Sequence, residues 1–120
     1  MDPKAEITRL QKAYALHFDA REAEAFAALF TEDAEVIVPG GHRILGREKL
    51  LKACQRTPPG GGHYPEEGTI TIDGDKATAS SRFRFEPAAG EPMTGEYEDR
   101  FEKTADGWRF SYRRSIIDES

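Results

Sequence analysis

The sequence predicts an α+β domain in which three N-terminal helices pack against a curved antiparallel sheet that encloses a pocket. Two observations predict it. Apolar residues recur at helical spacing in the first half of the chain, and the period changes to two after a Pro/Gly-rich segment at Pro58–Gly62. Helices followed by strands in this order segregate to one face of a sheet. A strongly bent sheet with helices across its mouth leaves room for a small molecule.

The first helix is read over Ala5 to Asp19, where Ile7, Leu10, Tyr14 and Phe18 follow one another at steps of three and four. A break at Asp19-Ala20-Arg21-Glu22 separates it from a second stripe of Ala23, Phe26, Ala27 and Phe30, so the two pack as a helical hairpin. The β-branched run Val36-Ile37-Val38, closed by Pro39-Gly40-Gly41, is a strand and turn, with His42 to Leu45 as its returning partner. A third helix spans Arg47 to Gln55, with Leu50, Leu51 and Cys54 on one side. Strands follow at His63–Ile72, Ala77–Glu86, Thr94–Lys103 and Trp108–Ile117, joined by Asp73-Gly74, the looser Ala88–Pro92 connection and Asp106-Gly107.

The 120 residues, taken as one domain over 1–120, can bury a core unaided, and 38% hydrophobic residues with one Trp, four Tyr and seven Phe supply the material for it. A net charge of -5 leaves no basic surface for nucleic acid. Cys54 is alone, so no internal disulfide forms, and its place late in a helix marks it as a half-buried packing residue. The N-terminal residues lack the apolar run of a signal peptide, and no stretch approaches a membrane span, which reads as a cytoplasmic protein with no membrane partner.

Several stretches together carry a family resemblance: Tyr14; Leu29-Phe30-Thr31-Glu32-Asp33-Ala34; Pro39-Gly40-Gly41 through Gly46-Arg47-Glu48; and His63, ten residues before Asp73-Gly74-Asp75. Gly95-Glu96-Tyr97-Glu98-Asp99 and Asp106-Gly107-Trp108-Arg109-Phe110, leading to Arg113, complete the set. In this order the chain resembles the SnoaL-like branch of the nuclear transport factor 2-like superfamily, which includes polyketide cyclases, ketosteroid isomerase and scytalone dehydratase. The resemblance implies a cone-shaped sheet around a pocket for a small, mostly apolar or aromatic molecule. It also implies a homodimer through the outer sheet face, near Ile116 and Ile117. Where ketosteroid isomerase would carry its general-base Asp, this chain has Val38, which accepts no proton. Where scytalone dehydratase would have its helix carboxylate and second histidine, the chain offers Leu16 and Ser81, leaving His63 alone of that set.

The candidate catalytic residues are His63 and Asp99. His63 can change protonation near neutral pH, and Asp99 shares the apolar strand face of Tyr97 and Phe101. A carboxylate there is either paired, with Arg113 or His63 in reach, or raised in pKa. Tyr14, Tyr97 and Trp108, each an apolar body with a polar tip, are the expected substrate-binding wall, with Arg113 beside them. His17 and His42 read as surface residues.

No metal set is legible, because the histidines lack pair spacing and no cysteine cluster exists. Gly60-Gly61-Gly62 lacks the Lys-Ser/Thr of a phosphate loop, and Ser80 and Ser81 carry no nucleophile-elbow signature. The expected function is therefore a cofactor-independent cyclase, isomerase or dehydratase working by acid/base chemistry. The alternative is a non-catalytic ligand-binding or dimerisation module of the same fold.

Overall fold

The computed structural model describes residues 2–119. Helix α1 (Pro3–Asp19) starts where Asp2 caps it, the carboxylate accepting from the Ala5 N–H at 3.2 Å with Pro3 in the first turn. Its buried stripe is Ile7, Leu10, Gln11, Tyr14 and Ala15. Helix α2 (Ala23–Ala27) is a short piece whose Phe26 is buried. Phe30, expected to close that helical stripe, instead begins strand β1 (Phe30–Ile37), where it is fully buried. Strand β2 (Arg43–Leu45) returns on β1, and α3 (Arg47–Arg56) buries Leu50 and Cys54 against the sheet; Cys54, expected half-buried, is fully enclosed.

The expected His63–Ile72 strand is two segments, β3 (Gly62–Pro65) and β4 (Thr69–Asp73), both paired with β5 (Lys76–Glu86). Pro65 opposes Phe83 and Thr69 opposes Ser80, so four steps on the edge match three on β5. The extra residue is a β-bulge. Gly68 permits it, since a Cβ there would lie 2.0 Å from the Ser80 carbonyl oxygen.

Strands β6 (Met93–Thr104) and β7 (Gly107–Ile117) complete a curved, unclosed sheet in the order β2-β1-β7-β6-β5-β3, with β4 also on β5. Its pairs are antiparallel as expected, except that β1 and β7 run parallel because the chain crosses from one to the other through α3 and the later strands. The concave face holds the core: Val36 from β1, Phe83 from β5, Tyr97 and Phe101 from β6, and Trp108 and Phe110 from β7. Gly95 lies under the Phe83 ring, where a Cβ would come within 2.8 Å of that ring and 2.3 Å of the Ile116 carbonyl oxygen. Phe83 can therefore lie flat and stack on Tyr97 at 4.2 Å.

A second bulge decides what faces inward from β7. Phe101 opposes Phe110 and Asp99 opposes Arg113, so three steps along β7 match two along β6. Strict alternation from Phe110 would turn Tyr112 inward and Arg113 outward. The bulge reverses this: Arg113 is 1% exposed, while Tyr112 lies on the outer face beneath the Arg100 guanidinium.

Trp108 is 2% exposed, and its backbone N–H donates to the Glu6 carboxylate at 2.8 Å, fixing the start of α1 to the start of β7. Trp108→Ala is expected to cost about 3 to 5 kcal/mol in a urea melt, as for other large buried aromatics. A loss under about 1 kcal/mol would show that this corner does not anchor the helix.

Candidate functional site

Two ionic pairs stand on the helix-facing side of the sheet, and they separate the residues that sequence reasoning grouped together. The first is Asp99 with Arg113. Arg113 Nε donates to Asp99 Oδ1 at 2.7 Å and Nη2 donates to Oδ2 at 2.9 Å, with both side chains buried. The amide of Gln11, from α1, donates to Asp99 Oδ2 at 3.3 Å. The guanidinium carbon lies 3.6 Å from the centre of the Tyr97 ring, 4.3 Å from Tyr14 and 4.7 Å from Phe110. Of the two partners the sequence offers Asp99, the structure selects Arg113.

Burial disfavours the charge on Arg113, but the attraction and hydrogen bonding of Asp99 outweigh that and hold its pKa above the ordinary value. Burial pushes the phenols of Tyr14 and Tyr97 upward, only partly opposed by Arg113, so both hydroxyls stay protonated through the physiological range. Arg113 Nη1 has no hydrogen-bond partner of good geometry, although the Tyr14 oxygen feels its charge.

The second pair is His63 with Asp19. The last residue of α1 presents both carboxylate oxygens to the first turn of β3: Oδ2 accepts from the His63 backbone N–H at 2.7 Å, and Oδ1 lies 2.7 Å from Nδ1. A carboxylate only accepts, so Nδ1 of the neutral ring carries the proton and Nε2 keeps the lone pair. Phe85 packs 4.6 Å from the imidazole, and Phe18 meets it edge-on at 5.6 Å. Both side chains remain partly exposed, at 19% for His63 and 25% for Asp19. Phe18 and Phe85 are themselves half-buried and pack against the core.

Asp19 is the partner of His63 that the sequence reading does not single out, because it falls at the break between the first two helices. Leu16 is 65% exposed, and the α1 carboxylate that meets His63 is Asp19, nearly one turn further on. The available signal was an acid at the very end of the Tyr14–Phe18 stripe. Ser81 is on the concave face, buried opposite Tyr97.

Trp108 stands away from His63. Glu6 holds Trp108 and Asp19 holds His63, and the intervening helix rises about 20 Å. Tyr14 and Tyr97 are core residues around Arg113 rather than an open wall. A cleft of about 380 Å³ opens between the first half of α1 and the β3–β4 bulge; it includes Gln11 but neither His63 nor Asp99.

A mixed, unclosed sheet curved over three helices defines a class of α+β domains. The profile of the SnoaL-like domain matches residues 1–114, and the chain belongs to that family. No curated protein matches the sequence at a significant level. Among solved structures, a variant of Rv3472, a Mycobacterium tuberculosis protein of unknown function, is 30% identical with a TM-score of 0.86, covering 95% of this chain and 70% of its own. An NTF2-like protein with a cystatin-like fold from Novosphingobium aromaticivorans is 26% identical with a TM-score of 0.88, covering 98% and 84%. A candidate scytalone dehydratase from the same organism shares the fold at 24% identity and a TM-score of 0.80, covering 94% and 82%. No described helix is long and apolar enough to cross a membrane.

The two buried phenols give a pH test. A folded pKa raised above the unfolded value of about 10 means the native state holds protons that the unfolded chain has released. The associated stability is present below that pH and is lost as pH rises through the folded value. Of the four tyrosines, Tyr14 and Tyr97 should therefore ionise only above the ordinary range or on alkaline unfolding, as followed by ultraviolet absorbance. Four ordinary titrations in a still-folded protein would contradict the buried aromatic box.

Proposed function

We propose that this SnoaL-like domain is a cofactor-independent acid/base enzyme of the cyclase, isomerase or dehydratase kind, acting on a small apolar or aromatic molecule. The observation that carries the reading is the two-point hold of Asp19 on His63, through the backbone N–H and Nδ1 at 2.7 Å each. It fixes the ring and its tautomer before any substrate arrives and leaves Nε2 free to take a proton.

In the proposed step, Nε2 removes a proton from a substrate carbon made acidic by a neighbouring carbonyl or aromatic system. The C–H electron pair moves into the substrate, and the resulting imidazolium is stabilised by Asp19. Returning the proton to another carbon completes an isomerisation; where the electron pair instead attacks a carbonyl carbon of the same molecule, a ring bond forms, the C=O π pair moves to oxygen, and the proton is delivered to that alkoxide, completing a cyclisation. Delivering it to a departing hydroxyl completes a dehydration, with water as the second product. Asp99 serves as the counter-ion of Arg113 and not as a second proton carrier. The name of the dehydratase neighbour is consistent with this chemistry.

The test begins with a thermal-shift panel of steroids, polyketides and aromatic hydroxy compounds, since a ligand of the native state raises its melting temperature. Compounds that bind are then followed for turnover and for deuterium uptake from heavy water. His63→Ala should lower the rate by about 10²- to 10⁴-fold while the protein still melts cooperatively, and Asp19→Asn should lower it less. Unchanged turnover in His63→Ala removes the proposed base. A ligand that binds the wild-type protein without turnover or exchange assigns the fold to the ligand-holding alternative.

A further inference from the structure

We propose that Arg21 is a positioning residue that sets the Asp19–His63 pair, an inference that rests on the acid/base reading of that pair. The helix ends in a Schellman motif: the Glu22 N–H donates to the His17 carbonyl at 2.9 Å and the Arg21 N–H donates to the Phe18 carbonyl at 3.0 Å. The residue at the left-handed position of this motif is usually glycine. Here it is Arg21, at φ 56°, the only non-glycine residue with positive φ among those described. A side chain there is strained, so its presence calls for a compensating interaction that only the side chain supplies.

That interaction is a three-carbonyl clamp. Arg21 Nε donates to the Thr57 carbonyl at 2.9 Å, Nη1 donates to the Phe18 carbonyl, and Nη2 donates to the Pro58 carbonyl. The guanidinium also rests over the Phe18 ring at 4.7 Å. Phe18 and Asp19 belong to the end of α1, whereas Thr57 and Pro58 begin the glycine-rich segment that leads to His63. The clamp therefore joins the element carrying the carboxylate to the segment carrying the imidazole. β3 is a four-residue edge strand whose one sheet neighbour is β5, so its registry with α1 rests on the Asp19–His63 bonds together with this clamp. A lysine has one ammonium and cannot fork to three carbonyls in this plane.

Arg21→Gly is the informative variant, because glycine relaxes the backbone at this position while removing the clamp. The readout is histidine-ring ¹⁵N NMR on the full chain at a pH where the rings are neutral, with the three histidines distinguished by a His63→Ala control. Wild-type His63 should show a protonated Nδ1 and a bare Nε2. In folded Arg21→Gly the Nδ1–H signature should be lost, with a shift toward the Nε2–H tautomer that an unconstrained histidine side chain prefers, and Arg21→Lys should fall between. A folded Arg21→Gly with wild-type His63 signals overturns the positioning role and leaves the catalytic proposal standing. If the glycine variant does not fold, unaltered His63 signals in folded Arg21→Lys overturn it equally. A wild-type protein whose His63 is already Nε2-protonated overturns the pair itself.

Discussion

The structure depends first on a charge placed where water cannot reach it. Removing Asp99 and Arg113 from solvent costs several kcal/mol per ion, so the pair is tolerable only with full geometry around it. Two parallel hydrogen bonds satisfy the carboxylate, Gln11 adds a third from the helix, and aromatic faces surround the guanidinium. Three elements must converge for this to happen. α1 supplies Gln11 and Tyr14, β6 supplies Asp99 and Tyr97, and β7 supplies Arg113 and Phe110. The bulge in β7 is part of the same requirement, because without it the arginine would face outward. The pair thereby specifies one docking of α1 on the sheet, a role for buried polar groups that an all-apolar interior fills less selectively.

Once α1 is docked, its two ends do different things. The Glu6 end takes the backbone of Trp108 and closes the far corner of the core, while the Asp19 end meets His63. The helix acts as a rigid spacer that carries a carboxylate to the open end of the sheet. This division separates an acid enclosed with its arginine from an acid at the edge of the core. Asp99 is enclosed between Arg113 and Gln11; Asp19 is partly exposed and bonds His63 through both carboxylate oxygens.

Much of this was legible in the sequence, for identifiable reasons. The α1 stripe, the α3 face and the long β5–β6–β7 meander follow from periodicity, and Asp99 stood out as an acid among Tyr97 and Phe101. What was hidden involves places where periodicity breaks. A bulge adds one residue and inverts the facing pattern, so His63–Ile72 read as one strand and Arg113 could be assigned inward only through its partner. Asp19 was lost because a helix-terminal acid resembles ordinary capping and turn chemistry, and its partner is 44 residues away. Trp108 was placed at the pocket wall because its polar tip wants a partner; the backbone contact with Glu6 instead draws it to the opposite end.

The central claim is that the buried Asp99–Arg113 pair holds the domain in this shape, and a double-mutant cycle in urea tests it most directly. Asp99→Leu and Arg113→Met should each cost about 3 to 5 kcal/mol, because each leaves one buried charge without its partner. The double variant, with no charge left to bury, should recover much of that loss and show a large coupling energy. Two small, additive losses would contradict the account, since they would mean that neither charge depends on the other in the folded protein.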